Sequence, residues 1–252
     1  MTPYATGKRW SIYNADCLDW FATVPESTFD IVATDSPYSI NTKSDGYGKL
    51  NPWADHLNAA LWYTTWIREA RRVLAPTGAL WACLNWRSQV PFTKAACDLR
   101  WSIESMLVWD KDWIGPGGPS GLRPSYELVA LWLRERGQVH DRGLPDVQTF
   151  PWSAFKPSGH PAEKPVPLLR FCINAVAHEG VRHVADPFMG SASTGEAALL
   201  DGHTFTGCEI DEAWCESSAK RLAEVEKLES QVPMFKVRRA KGEQLSIAGS
   251  KG

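Results

Sequence analysis

The chain has 252 residues, enough to bury a substantial core as one large domain or two small ones. Apolar residues at 44% against 22% charged exclude a disordered chain, and a formal net charge of -2 excludes a uniformly basic nucleic-acid binder while permitting local basic patches. No run of about 18 apolar residues could span a bilayer, and no charged segment precedes an apolar one at the N-terminus, so neither a membrane anchor nor secretion is expected.

The six cysteines, at 17, 83, 97, 172, 208 and 215, include no CxxC pair and no Cys/His ligand spacing. That predicts reduced, mostly buried thiols in a cytoplasmic protein, with no metal. The chain also carries 13 tryptophans. Aromatics dominate core energetics, so most of these are assigned to core or rim packing and not to a base-binding face.

β-type runs alternate with helical patterns from end to end, the mark of an α/β domain with a largely parallel sheet. Residues 10–13 form the first predicted strand and 29–33 the second. The second stops at Asp35, Ser36, Pro37 and Tyr38, which together could seat a planar base bearing an amino group. Such a nitrogen is a poor nucleophile while its lone pair is conjugated with the ring. A carboxylate accepting one of its protons, with the carbonyl of Ser36 or Pro37 accepting the other, favours the pyramidal form. The Tyr38 ring would replace the stacking lost by a base taken out of its duplex. Asp, Ser and Pro are equally turn formers, so these four residues alone read as well as an ordinary turn.

A helix over 54–74 carries Leu57, Leu61, Trp62, Trp66 and Val73 at helical spacing and stops at Ala75, Pro76, Thr77 and Gly78. Arg68, Arg71 and Arg72 close it; cations suit a helix C-terminus, so this cluster reads as a helix end before it reads as a phosphate contact. Strands over 79–84, 105–109 and 128–133 follow. Between the last two, residues 110–124 hold four glycines and three prolines, flanked by Lys111 and Arg123. Residues 39–52, 110–124 and 137–159 are long for loops of a compact domain, which marks them as functional.

His160, Pro161, Ala162, Glu163, Lys164 and Pro165 lead into a helix over 166–177 with Leu168, Leu169, Cys172, Ile173 and Val176 on one face. Lys164 is suited to meet a carboxylate; in isolation the segment is a simple helix entry. A strand over 182–185 then runs into Asp186, Pro187, Phe188, Met189, Gly190, Ser191, Ala192, Ser193 and Thr194 and a helix reaching Leu200. Small residues let the backbone approach a ligand, and open amides at the helix start favour polar groups. The last strand, 204–209, ends at Glu209, followed by Ile210 and Asp211; an acid there suits the two hydroxyl donors of a ribose diol. GxxxxGK[ST] is absent and Ala192 stands where a dinucleotide fingerprint has glycine, so a nucleoside without pyrophosphate fits better. Generic strand-to-helix packing is the competing reading. A charged helix over 211–228 precedes a basic tail, 231–252, with Lys236, Arg238, Arg239 and Lys241.

In this order the motifs resemble those of the DNA amino-methyltransferases, in the permuted class whose catalytic motif precedes the S-adenosyl-L-methionine motif. Residues 35–38 stand at the family's D-P-P-Y or S-P-P-Y, 160–165 at its H-P-x-x-K-P, and 186–194 at its D-P-F-x-G-S-G-T-T; the likeness covers most of 10–222. It implies a Rossmann-like S-adenosylmethionine methyltransferase fold, an α/β domain over 1–230 with about seven mostly parallel strands flanked by helices. The cofactor it implies is S-adenosyl-L-methionine. Asp16 and Cys17 would lie near the adenine, and Asp186, Pro187, Phe188, Gly190, Ser191, Ala192, Ser193 and Thr194 would form the pocket. Glu209, with Ile210 and Asp211, would hold the ribose, and His160, Lys164 and Pro165 would close over the methionine end.

Asp35, Ser36, Pro37 and Tyr38 would then hold a base flipped out of double-stranded DNA, its amino nitrogen in line with the sulfonium methyl. Two departures from the family's pattern stand out: Ala192 replaces the second glycine, adding a methyl that would narrow the pocket, and Ser36 replaces the first proline. An initial Asp is typical of adenine-N6 enzymes and an initial Ser of cytosine-N4 enzymes. The resemblance therefore implies a site-directed adenine-N6 DNA methyltransferase, with cytosine-N4 transfer or a catalytically silent DNA- or partner-binding module as alternatives. Loops near 39–52, 110–124 and 137–159 would face DNA, and because the interval 137–159 is too short for a separate recognition domain, sequence preference is expected to be short or relaxed, or to depend on 39–52, 110–124 or a second subunit of a homodimer.

Overall fold

The computed structural model describes residues 1–37, 56–115, 121–153, 158–160, 162–177 and 180–231. Tyr38, the loop at 39–52, parts of 110–124 and 137–159, Pro161 and the tail beyond residue 231 lie outside the described residues.

Nine strands join in one sheet among the described residues: β1 (Ala5–Thr6), β2 (Trp10–Asn14), β3 (Phe29–Thr34), β4 (Leu74–Leu84), β5 (Ser105–Asp110), β6 (Tyr126–Leu133), β7 (Val147–Thr149), β8 (His183–Asp186) and β9 (Thr204–Glu209). Their order is β1-β2-β9-β8-β3-β4-β6-β5-β7. The run from β2 to β4 is parallel throughout, while β6 is antiparallel to both β4 and β5. From β3 the chain moves to β4 on one side, and from β8 to β9 on the other, so the order reverses between β3 and β8. In open α/β sheets the crevice outside the carboxyl ends at such a reversal is where ligands bind.

Helices cover both faces. Alternation along each strand divides the core: Ile31, Ala33, Trp81, Cys83, Val129 and Leu131 pack with α4 (Val166–Val176), α5 (Ser193–Leu200) and α6 (Glu212–Gln231). Val32, Leu80, Ala82, Leu84, Ala130 and Trp132 pack with α1 (Cys17–Thr23), α2 (His56–Val73) and α3 (Gln89–Asp98). Trp10, Trp20, Trp66, Trp81, Trp101, Trp109 and Trp132 are buried, so these aromatics are mainly structural. Each fully buried aromatic contributes roughly 1.5–3 kcal/mol over leaving it exposed.

The strand count exceeds the expected seven because β1 and β7, of two and three residues at the sheet edges, are too short to show alternation. α3 was not anticipated; it carries Pro91 in its first turn, where a missing amide costs nothing. α2 ends at Val73, and residues 75–78, expected as a stop, lie inside β4, which starts at Leu74, earlier than predicted, with a register shift against β3 between Phe29 and Ile31. Of the arginine cluster at the end of α2, Arg71 and Arg72 turn inward while Arg68 is exposed. Arg72 donates to the carbonyls of Phe21 (2.7 Å) and Val24 (2.8 Å), and Arg71 donates to that of Leu99 and lies over the Trp101 ring. Among the described residues, no helix is long and apolar enough to cross a membrane.

Candidate active site

Four strand ends meet at the reversal: Asp35 follows β3, Asp186 ends β8, Glu209 ends β9, and Asn14 ends β2 with Asp16 just beyond it. Asp186 ties two of these ends, those of β8 and β3, to the turn and the start of α5. Its Oδ1 accepts from the Thr34 hydroxyl (2.6 Å) and the Phe188 amide (3.0 Å), and its Oδ2 accepts from the Thr194 hydroxyl (2.7 Å). Burial pushes its carboxyl up to about 6 despite those donors. The residue thus fixes the end of β3, immediately before Asp35, against the turn and the start of α5.

Within that turn, Gly190 has φ +46°, and a Cβ there would sit 3.1 Å from His160 Nε2. Both the left-handed backbone and the close ring require glycine. The Gly190 amide donates to Glu209 Oε2 (3.0 Å), and its carbonyl accepts from Ser218 (2.7 Å). Ala192, at φ 58°, takes the left-handed conformation as N-cap of α5. Its methyl is fully buried in the core shared by α4, α5 and α6. Ser191 and Ser193 are buried, their hydroxyls 3.3 Å apart. Pro187 sits in the same turn, and the Phe188 ring packs against Trp62 and Trp66 of α2.

Glu209 is half-buried, and its other oxygen accepts from the Asp211 amide (3.0 Å); burial raises its pKa. Asp211 caps α6 through the Ala213 amide, and Asp16 caps α1 through the Leu18 amide (2.8 Å). Cys17 is buried, its thiol pushed up to about 12 by burial and then by Asp16. Ile210 is 69% exposed beside these acids.

The segment 158–165 closes over the turn. Glu163, buried, bonds the Ser158 hydroxyl (2.6 Å) and Arg221 (2.9 Å), and Arg221 also pairs with Glu196 of α5 (2.5 Å). His160 packs edge-on against Trp214, and burial lowers its pKa. Pro165 is the N-cap of α4. Lys164 reaches across to Asp35 Oδ2 and to Glu127 Oε2 of β6 (3.5 Å). Burial alone would lower the Lys164 pKa, but Asp35 and Glu127 raise it above the ordinary lysine value, so the ammonium stays charged.

Asp35 therefore has one oxygen held. Its Oδ1 is buried and has no hydrogen-bond partner among the described residues. A buried carboxylate oxygen without a donor is costly, and a ligand bearing an N–H offsets that cost. Pro37 is exposed at its side chain, while its carbonyl accepts from the hydroxyl of Tyr63 (3.0 Å), a fully buried residue of α2. Ser36 is buried.

Sequence reasoning overlooked Glu127 and Tyr63. Glu127 was discoverable as a lone acid in the apolar strand YELVALWL; Tyr63 gave no signal apart from its helical spacing. Lys111, expected at the edge of a DNA-facing loop, pairs with Glu127 (2.6 Å), and Arg123 donates to the carbonyls of Gly115 and Ile114. Residues 137–146 run along the opposite end of the sheet, near the Leu133 end of β6, and the chain returns along β5 only through β7. A cleft of about 750 Å³ at that end, lined by Trp81, Arg134, His140 and Phe171, contains none of the motif residues.

Comparison with known proteins agrees with this geometry. Residues 29–220 match the DNA methylase family of N6 and N4 methyltransferases. The DNA adenine methyltransferase YhdJ of Escherichia coli K12 is 26% identical over 246 residues, spanning 84% of this chain and 82% of its own. The fold is similar to that of the PvuII DNA methyltransferase, described as cytosine-N4-specific, with a TM-score of 0.70 at 16% identity over 89% of this chain and 94% of the other. It is also similar to M1.HpyAVI, solved as a complex with S-adenosylmethionine, with a TM-score of 0.62 at 18% identity over 84% of this chain and 100% of the other. The chain belongs to the N6/N4 DNA methylase family, enzymes that methylate DNA from S-adenosyl-L-methionine.

Proposed function

We propose that this DNA methyltransferase acts on the exocyclic N6 of adenine in a base flipped out of double-stranded DNA. The observation that carries the reading is Asp35: a half-buried carboxylate at the head of the tetrapeptide, one oxygen fixed by Lys164 and the other buried without a donor among the described residues. An amino group of the target base supplies that donor. Its second proton goes to the carbonyl of Ser36 or to the remaining lone pair of the Pro37 carbonyl, which also accepts from Tyr63. These two acceptors draw the nitrogen lone pair out of conjugation and aim it, so the residues contribute orientation and charge stabilisation.

The chain's own residues fit the methyl donor. The Glu209 carboxylate, held by two backbone amides, keeps acceptor capacity for a diol. Phe188 and the exposed Ile210 offer apolar surface for a ring, with Asp16 and Cys17 beside them. His160 lies over Gly190, Lys164 reaches Asp35 from the same segment, and Pro165 caps α4. When bound, the cofactor supplies an electrophilic methyl group. Free cysteines suit a reducing cytoplasm, where we place the protein.

Cytosine-N4 transfer has the fold likeness to the PvuII enzyme in its favour. Digestion of DNA methylated with labelled cofactor decides between them: N6-methyladenine is expected, and recovery of N4-methylcytosine alone would sink the adenine reading.

A further inference from the structure

We infer that Glu127 is a positioning residue for methyl transfer, acting through Lys164 to set the charge that Asp35 presents to the reacting nitrogen. The inference rests on the role proposed for Asp35.

Four groups alternate in sign along one line of contacts. Asp35 meets Lys164, Lys164 meets Glu127 at 3.5 Å, and Glu127 meets Lys111 at 2.6 Å. Their side chains are 21, 9, 18 and 12% exposed in that order, so solvent screens them weakly. Glu127 sits between Leu128 and Tyr126 in a strand whose other inward residues are apolar, where an acid costs desolvation energy unless a partner offsets it. Lys164 and Lys111 are those partners.

Charge balance gives Glu127 its role. As the carbon–nitrogen bond forms, the carbon–sulfur bond breaks with its electron pair on sulfur, and positive charge arrives on the target nitrogen. The surplus proton then leaves that nitrogen past Asp35 to solvent. Lys164, in contact with Asp35, offsets much of the stabilisation that the carboxylate gives a cationic nitrogen. Glu127 restores one negative charge to the trio, while Lys111, one contact further, damps it. The other groups facing Asp35 are His160 on the same segment as Lys164, Cys83 on β4 and Asp186 at the end of β8. Burial holds His160 low and the Cys83 thiol high, so both are neutral near pH 7; Asp186 is common to every variant below.

The test compares wild type, Glu127→Gln and Lys111→Gln in steady-state methylation of unmethylated genomic DNA from pH 5 to 9. Glu127→Gln should lower kcat about 10- to 100-fold, with KM for DNA and the cofactor Kd within about threefold. It should also move the acid limb of the kcat profile to lower pH, whereas Lys111→Gln should move that limb to higher pH. A purely structural Glu127 would lose activity and stability with the limb in place, and that result, or limbs moving the same way in both variants, overturns the inference. Should circular dichroism show Glu127→Gln unfolded, the limb of Lys111→Gln decides alone: an upward move supports the inference and no move overturns it. Absence of transfer by the wild type would instead refute the underlying reading of Asp35.

Discussion

Replacing Lys164 with methionine keeps most of its volume and removes its charge, which isolates the electrostatic contribution of the chain of ion pairs. The Asp35 carboxylate would be left mostly buried with neither oxygen paired, while Glu127 keeps Lys111. Breaking a buried pair by removing one partner costs about 3–5 kcal/mol. Asp35 retains 21% exposure and Glu127 a second cation, so about 3 kcal/mol is expected here. At about 2–4 °C per kcal/mol for a chain of this size, Tm should fall by about 6–12 °C. Urea unfolding followed by tryptophan fluorescence, without cofactor or DNA, measures the change; because the pair is buried, it should persist at 1 M salt. In the double variant Lys164→Met with Asp35→Asn, the unpaired charge is gone, so most of the loss should return as a coupling energy of about 2 kcal/mol. A single-variant loss below about 1 kcal/mol, or additivity within about 0.5 kcal/mol, would refute the geometry of the pair.

Three further outcomes are expected. Asp35→Ala should abolish transfer while the cofactor Kd measured by calorimetry stays within about threefold, since Asp35 faces the base site; equal loss of both would contradict that division of roles. Asp186 has a folded pKa raised to about 6. Its contribution to stability is therefore fully present below the unfolded value near pH 4 and is lost as pH rises through about 6. Asp186→Asn should flatten that decline, of roughly 1–3 kcal/mol between about pH 4 and 7, and an unchanged slope in denaturant titrations would count against a buried titrating carboxyl. Ala192→Gly relieves a left-handed penalty of roughly 1–2 kcal/mol but loses a buried methyl and adds unfolded-state entropy, so net stability should change by less than about 1 kcal/mol. Because that methyl faces the core, the cofactor Kd should move less than about threefold; a tenfold tightening would show that alanine narrows the pocket after all.

What the sequence disclosed and what it hid divide along a physical line. Local signals were readable where one stretch carries its own constraint: the apolar run of β3, the helical spacing of α2 and α4, and the small-residue turn whose Gly190 must accept both φ +46° and the His160 ring. Chain order and short-range chemistry place Asp35, Asp186 and Glu209 at strand ends, and parallel pairing then brings those ends together without further information. The contacts that tune Asp35 are of another kind. Lys164 reaches it across 129 positions, and Glu127 joins only because β6 runs antiparallel beside β4, a pairing that no local pattern announces. Lys111 looked like a surface cation because its loop is rich in glycine, yet its side chain is 12% exposed, held by an acid on the neighbouring strand. Tyr63 looked like one more apolar helix residue, and only the fold shows that its hydroxyl meets the Pro37 carbonyl. The residues proposed to carry the reaction are thus legible as types at strand ends. The charge on which we infer Asp35 to depend comes from strand pairing, so relatives sharing the tetrapeptide are expected to differ in activity where the residue opposite Trp109 is not an acid.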